Sequence, residues 1–158
     1  QLYESTAQCL ATCRALDPGL PTDKASGNTV QCRTYHGINS LLGNESHCGH
    51  AGPGGGEARA CGDECTSYCR LTAAACGESF RAAFPGADPQ AACRSKCGGL
   101  AGVAPPAPYM GYTLAIGREA AGKGDSLPCR MFFAEKALED PAASAQHCPS
   151  ALGADRCK

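Results

Sequence analysis

Apolar and polar positions along this chain recur at helical spacing. Cys65, Cys69 and Cys76 stand at i, i+4 and i+11, so all three fall on one helical stripe. Asp63 is placed to cap that helix and Gly77 to end it. Asp88-Pro89 reads as an N-cap followed by a first-turn proline, opening a helix that carries Cys93 and Cys97 and stops at Gly98-Gly99. Asn28-Thr29 and Asp125-Ser126 are N-cap signals for helices carrying Cys32 and Cys129, with Pro128 tolerated inside the first turn. Asp140-Pro141 opens a short last helix towards Cys148. Nowhere do β-branched residues alternate over a useful length, so no strands are expected. The pattern predicts a small all-α, disulfide-rich fold of short helices and helical hairpins.

The same landmarks occur twice in the same order. GNTVQCRTYH at 27–36 returns as GDSLPCRMFF at 124–133, and HCGHA at 47–51 returns as HCPSA at 147–151. Cys9-x3-Cys13 corresponds to Cys93-x3-Cys97, Cys32 to Cys129, Cys48 to Cys148, and Cys61 to Cys157. The stretch Cys61 to Cys76 has no second copy. This frame predicts about one and a half tandem repeats: an incomplete first repeat over 1–60 and a complete second over 61–158.

Thirteen cysteines in 158 residues lie at the edge of the range for disulfide scaffolds, which belong to oxidising compartments. There is no tryptophan and aromatics are 6 %, so large apolar side chains are scarce and cross-links must supply stability that burial does not. Each bridge contributes roughly 2–4 kcal/mol, mainly by restricting the unfolded chain. No signal peptide is read, and a chain starting at Gln1 suggests a mature product already cleaved. A net charge of −1 with mixed signs argues against nucleic acid or an anionic membrane surface as partner. The uncharged run from Cys97 to Gly117 is too broken by Pro105, Pro106 and Pro108 to form a transmembrane segment.

All thirteen cysteines (Cys9, Cys13, Cys32, Cys48, Cys61, Cys65, Cys69, Cys76, Cys93, Cys97, Cys129, Cys148 and Cys157) are candidate disulfide partners. Two helices each offering Cys-x3-Cys invite Cys65–Cys97 and Cys69–Cys93. Cys32–Cys48 and Cys129–Cys148 would each join consecutive helices of one unit. Cys157 is left over by the count: either it is free or intermolecular, or it bonds Cys61 directly. Cys9 and Cys13 lack a partner helix in their own unit, so another part of the chain or another subunit must provide it.

Other residues carry chemistry more weakly. Thirteen residues separate Cys13 from Gly27 but twenty-six separate Cys97 from Gly124, so the second unit holds an apolar Pro/Gly-rich insertion at about 98–123. Val103, Tyr109, Met110, Tyr112, Leu114 and Ile116 there are candidate interface residues, unless the insertion folds over its own repeat. His36, His47 and His50, with Cys48 among them, are candidate ligands for copper or zinc. The competing reading is structural histidines, since the second unit keeps only His147 of the three. Arg33 and Arg130 follow the matched cysteines and serve either an anion or glycan site or, more simply, helix-end carbonyls and local carboxylates. Asn44-Glu45-Ser46 is an N-glycosylation acceptor pattern. No catalytic motif occurs: no Gly-x-Ser-x-Gly, no His-Glu-x-x-His, no phosphate loop, no Cys-x-x-Cys.

The ordered set of 27–36, 47–53, 61–76, 93–97 and 124–151 resembles a tandem cysteine-rich repeat of large secreted proteins in some bacteria and microalgae. The resemblance implies an extracellular or lumenal setting and carries no activity. The second unit departs from it at Phe133 and Ser150, where the first has His36 and His50. The paired Cys-x3-Cys helices are also similar to the twin motif of small mitochondrial intermembrane-space chaperones, but those have one hairpin with long flanking helices.

The reading is therefore a non-catalytic structural or assembly module with no resident cofactor. Its expected partners are other protein subunits, possible copies of itself among them, outside the cytosol. The alternatives are a copper- or zinc-binding secreted protein using His36, His47 and His50, and a secreted carbohydrate-binding domain, which the lack of tryptophan disfavours.

Overall fold

The computed structural model of the chain describes residues 3–22, 25–44, 47–55, 60–100 and 124–158. These hold helices α1 (Thr6–Ala15), α2 (Val30–Leu41), α3 (His47–Ala51), α4 (Glu64–Ala83), α5 (Pro89–Cys97), α6 (Leu127–Glu139) and α7 (Ser144–Ala151), with 3-10 turns at Pro141–Ala143 and Asp155–Cys157. Among the described residues no strand forms; Asp17 and Thr29 make an isolated bridge. The fold is all-α, and no described helix is long and apolar enough to cross a membrane.

Side-chain caps start most of these helices by taking up amide donors that have no intrahelical partner. Thr29 Oγ1 accepts from the Cys32 amide at 3.1 Å, Asp63 from Thr66 at 2.8 Å, Asp88 from Ala91 at 2.9 Å and Ser126 from Cys129 at 3.4 Å. Gly77, expected to end α4, bends it instead. It takes φ 47° and ψ −109° while the helix continues to Ala83. Glycine adopts that backbone without a Cβ clash, and the bend lets Phe80 and Phe84 reach the core, where both are buried.

Helix α4 is the hub. It packs on α5, α6 and α7, while α6 packs on α7 and α2 on α3. Tyr68 on α4 donates its hydroxyl to the Ala151 carbonyl at 2.7 Å, at the end of α7. Helix α1 lies mainly against α6. Gln8 Nε2 donates to Glu135 at 3.0 Å, Lys136 pairs with Glu4 and Glu139, and Arg70 Nε donates to the Ala15 carbonyl at 3.1 Å.

Five disulfides hold the described residues. Cys65–Cys97 and Cys69–Cys93 form the double rung between α4 and α5 that their spacing predicts. The remaining pairing departs from expectation. Cys32 bonds Cys61 and Cys129 bonds Cys157, at matched separations of 29 and 28 residues, while Cys148 bonds Cys76. Cys129–Cys148 does not form, because α7 packs on α4 as well as α6 and its cysteine meets Cys76, and Cys32–Cys48 does not form, because Cys32 is taken by Cys61. Cys157 is neither left over nor joined to Cys61.

Cys9, Cys13 and Cys48 are thiols rather than half-cystines. Their matched cysteines, Cys93, Cys97 and Cys148, all bond to α4, and the first unit has no helix of that kind among the described residues. Sulfur is a main constituent of the interior: nine of the twenty buried apolar residues are half-cystines.

Candidate functional site

Three histidines converge where α3 meets α2, and a buried arginine sets that meeting. Arg33, one turn into α2, donates from Nε to the Gly52 carbonyl at 3.1 Å and from Nη2 to the Pro53 carbonyl at 3.0 Å, just past the end of α3. Nη2 also reaches Asn28 Oδ1 at 2.8 Å, and Nη1 the Thr29 carbonyl at 3.1 Å. Burial pulls the guanidinium below its ordinary value, yet these acceptors keep it bonded on every side. The five-residue α3 is too short to hold its own place by helix propensity; Arg33 ties it down.

The matched arginine does the same in the second segment. Arg130 donates from Nε and Nη2 to Asp125 Oδ1 at 3.1 and 2.6 Å, and Nη1 lies 3.5 Å from the Leu152 carbonyl. Both guanidiniums are buried among internal acceptors, which is the simpler of the two roles expected for them.

With α3 fixed, His47 and His50 lie one turn apart and face His36 on α2. His36 Nδ1 is 2.5 Å from His47 Nδ1 and 3.2 Å from His50 Nδ1. One ligand nitrogen from each ring lies within 4.8 Å of the others. On its far side, His36 Nε2 is 3.3 Å from the Ala25 carbonyl. A carbonyl only accepts, so this bond puts the proton on Nε2 and leaves the Nδ1 lone pair facing the other two rings. A backbone carbonyl orienting a histidine in this way is the usual support of a metal ligand. Tetrahedral zinc with Zn–N bonds of about 2.0–2.1 Å spaces its nitrogens roughly 3.4 Å apart. The His36–His50 separation already fits, and the His36–His47 contact has to open by about 1 Å.

Cys48 lies between the two α3 histidines in sequence but outside this group. A second grouping, His36 with Cys32 and Cys61, offers no thiolate, because the two sulfurs are bonded to each other. At the matched positions the Phe133 and His147 rings lie tilted to one another with centroids 6.1 Å apart, Arg156 lies over the Phe133 ring, and the Ser150 hydroxyl lies 3.5 Å from the Arg156 amide. The three-histidine arrangement thus belongs to the first segment only.

Asn44 is exposed just after α2. Val103, Tyr109, Met110, Tyr112, Leu114 and Ile116 lie outside the described residues.

A different feature was not anticipated. Among the described residues, the exposed large apolar side chains all fall in the first segment: Leu10 on α1, Leu20, and Tyr35, Ile38, Leu41 and Leu42 along or just after α2. The three thiols belong to the same segment, on α1 and α3. Burial, and then the neighbouring Cys9 sulfur, push the Cys13 thiol above its ordinary value. The repeat frame held the signal for this, since each of these cysteines matches one that bonds the unrepeated helix.

No family model, no curated protein and no solved structure matches this chain.

Proposed function

We propose that this protein is a non-catalytic, disulfide-stapled structural or assembly module, secreted or lumenal, that presents a rigid helical surface to protein partners. The observation carrying this reading is the makeup of the interior, where half-cystines rival the large apolar side chains in number. Such an interior requires an oxidising setting, and cytosolic thiol buffers would dismantle it. The binding groups that stand out among the described residues are exposed apolar side chains, three half-buried thiols and a cluster of one buried and two half-buried histidines. Reduction tests this reading. Circular dichroism should show cooperative loss of helix on treatment with a phosphine reductant, and a reduced protein that keeps its native spectrum and melting temperature overturns it.

The histidine geometry favours a second reading, that His36, His47 and His50 bind copper or zinc. The metal would cross-link α2 to α3 where no disulfide does. One equivalent of zinc or copper should bind the purified protein and raise its melting temperature, with both effects lost in His47→Ala. Metal-free protein whose melting is unchanged by added metal and by chelator ends this reading.

A further inference from the structure

We propose that Cys9, Cys13 and Cys48 form the docking face for a further helix of the α4 kind, carrying Cys-x3-Cys-x6-Cys, supplied by another repeat unit. The proposal rests on the module reading above and names its partner.

The second segment shows what covers such a face. There α4 bonds Cys65 to Cys97, Cys69 to Cys93 and Cys76 to Cys148. In the repeat frame Cys97 matches Cys13, Cys93 matches Cys9 and Cys148 matches Cys48. The three thiols are therefore the three positions that an α4-type helix would engage.

Burial points the same way. Cys93 and Cys97 are 0 % and 1 % exposed beneath α4, whereas Cys9 and Cys13 are half-buried. Leu138 on α6 packs against the core, whereas its match on α2, Leu41, is 86 % exposed. Half-buried thiols and a bare Leu41 are costly to leave in water and prone to misassociation, and a helix seated as α4 is on Cys93 and Cys97 would bury the thiols. The α4 of a second copy does not serve, because its three cysteines are already bonded.

The register follows. A Cys-x3-Cys pair spans one turn, about 6 Å, on both partners, so the incoming helix runs antiparallel to α1. Its first cysteine meets Cys13, its second Cys9 and its third, two turns on, Cys48. Each bridge forms by exchange with a disulfide oxidant such as oxidised glutathione. One thiolate attacks and releases a glutathione thiolate, then the partner thiolate attacks the mixed disulfide and releases the second. Three bridges consume three oxidised glutathiones and give six thiols.

The test uses the intact oxidised protein and, as probe, a reduced synthetic peptide of residues 63–84 in a glutathione redox buffer, followed by alkylation and mass spectrometric mapping. A one-to-one adduct carrying the three bridges in the stated register supports the proposal, and Cys48→Ser protein should form the first two bridges and lose the third. No adduct beyond that of a scrambled peptide with the same cysteines, pairing at random, an internal Cys9–Cys13 bond that excludes the peptide, or a disulfide dimer of the protein each overturn it. Five internal bridges in the starting protein show that the module reading stands even where the peptide fails; their absence contradicts that reading and the proposal together.

Discussion

Cys76 and Cys148 are bonded across 72 residues of chain, tying the bent middle of α4 to α7. The bond closes the longest loop of the five, and it sits one residue before Gly77, where α4 changes direction. The bend and the bridge together decide how the two ends of the second segment meet.

Loop length ranks the bridges. In the chain-entropy model a 72-residue loop is worth about 4 kcal/mol and the 24-residue loop of Cys69–Cys93 about 3 kcal/mol. Cys76→Ser/Cys148→Ser should therefore lower the unfolding free energy in urea by more than Cys69→Ser/Cys93→Ser. A reversed order would show that local strain or packing, rather than closure of the unfolded chain, governs stability.

Gly153 guards the buried arginine of the second segment. Its φ is +90°, and a Cβ there would lie 2.2 Å from Arg130 Nη2. Gly153→Ala should destabilise by about 2 kcal/mol, combining the left-handed backbone with displacement of the guanidinium. Arg130→Lys should also destabilise, since an ammonium cannot reach Asp125 and the Leu152 carbonyl as a fork. Thermal melts of both variants check this.

Replacing the first-segment histidines by their matches separates packing from metal binding. Phe133 and Ser150 show that phenylalanine and serine fit the corresponding positions. His36→Phe/His50→Ser should keep the metal-free melting temperature within a few degrees and abolish any stabilisation by zinc. A large loss of metal-free stability would instead mark the three rings as an essential structural network.

Acid should loosen α1 from α6. A hydrogen bond from Ser5, then one from Lys136, hold the Glu139 carboxyl below its ordinary range. Its folded value lies under its unfolded value, so the stability it contributes is present at neutral pH and is lost as pH falls past the ordinary carboxylate range and through the lowered folded value. The urea midpoint should drop between pH 5 and pH 3, and less steeply in Glu139→Gln.

Helix starts and the α4–α5 double rung were legible in the sequence because both are local and periodic: Asp63, Asp88, Thr29 and Ser126 cap where their residue type says, and two Cys-x3-Cys helices have one simple way to pair. Cys32–Cys61 and Cys129–Cys157 were not. Cys61 lies outside a helix and Cys157 in a 3-10 turn, where periodicity sets no direction, although their nearly equal separations of 29 and 28 residues point to equivalent bonds. The bend at Gly77 escaped notice because glycine equally well ends a helix; burial of Phe80 and Phe84 decided the matter. The histidines were visible as residue types, but their convergence depends on Arg33 holding a five-residue helix, a tertiary effect that spacing alone does not reveal.

The most direct measurement is a disulfide map of the purified chain, alkylated before unfolding and digested without reduction. Cys32–Cys61, Cys65–Cys97, Cys69–Cys93, Cys76–Cys148 and Cys129–Cys157 should appear, with alkyl groups on Cys9, Cys13 and Cys48 alone. A folded, helical protein with all thirteen thiols alkylated, or one bonded as Cys32–Cys48 and Cys129–Cys148, would contradict the account.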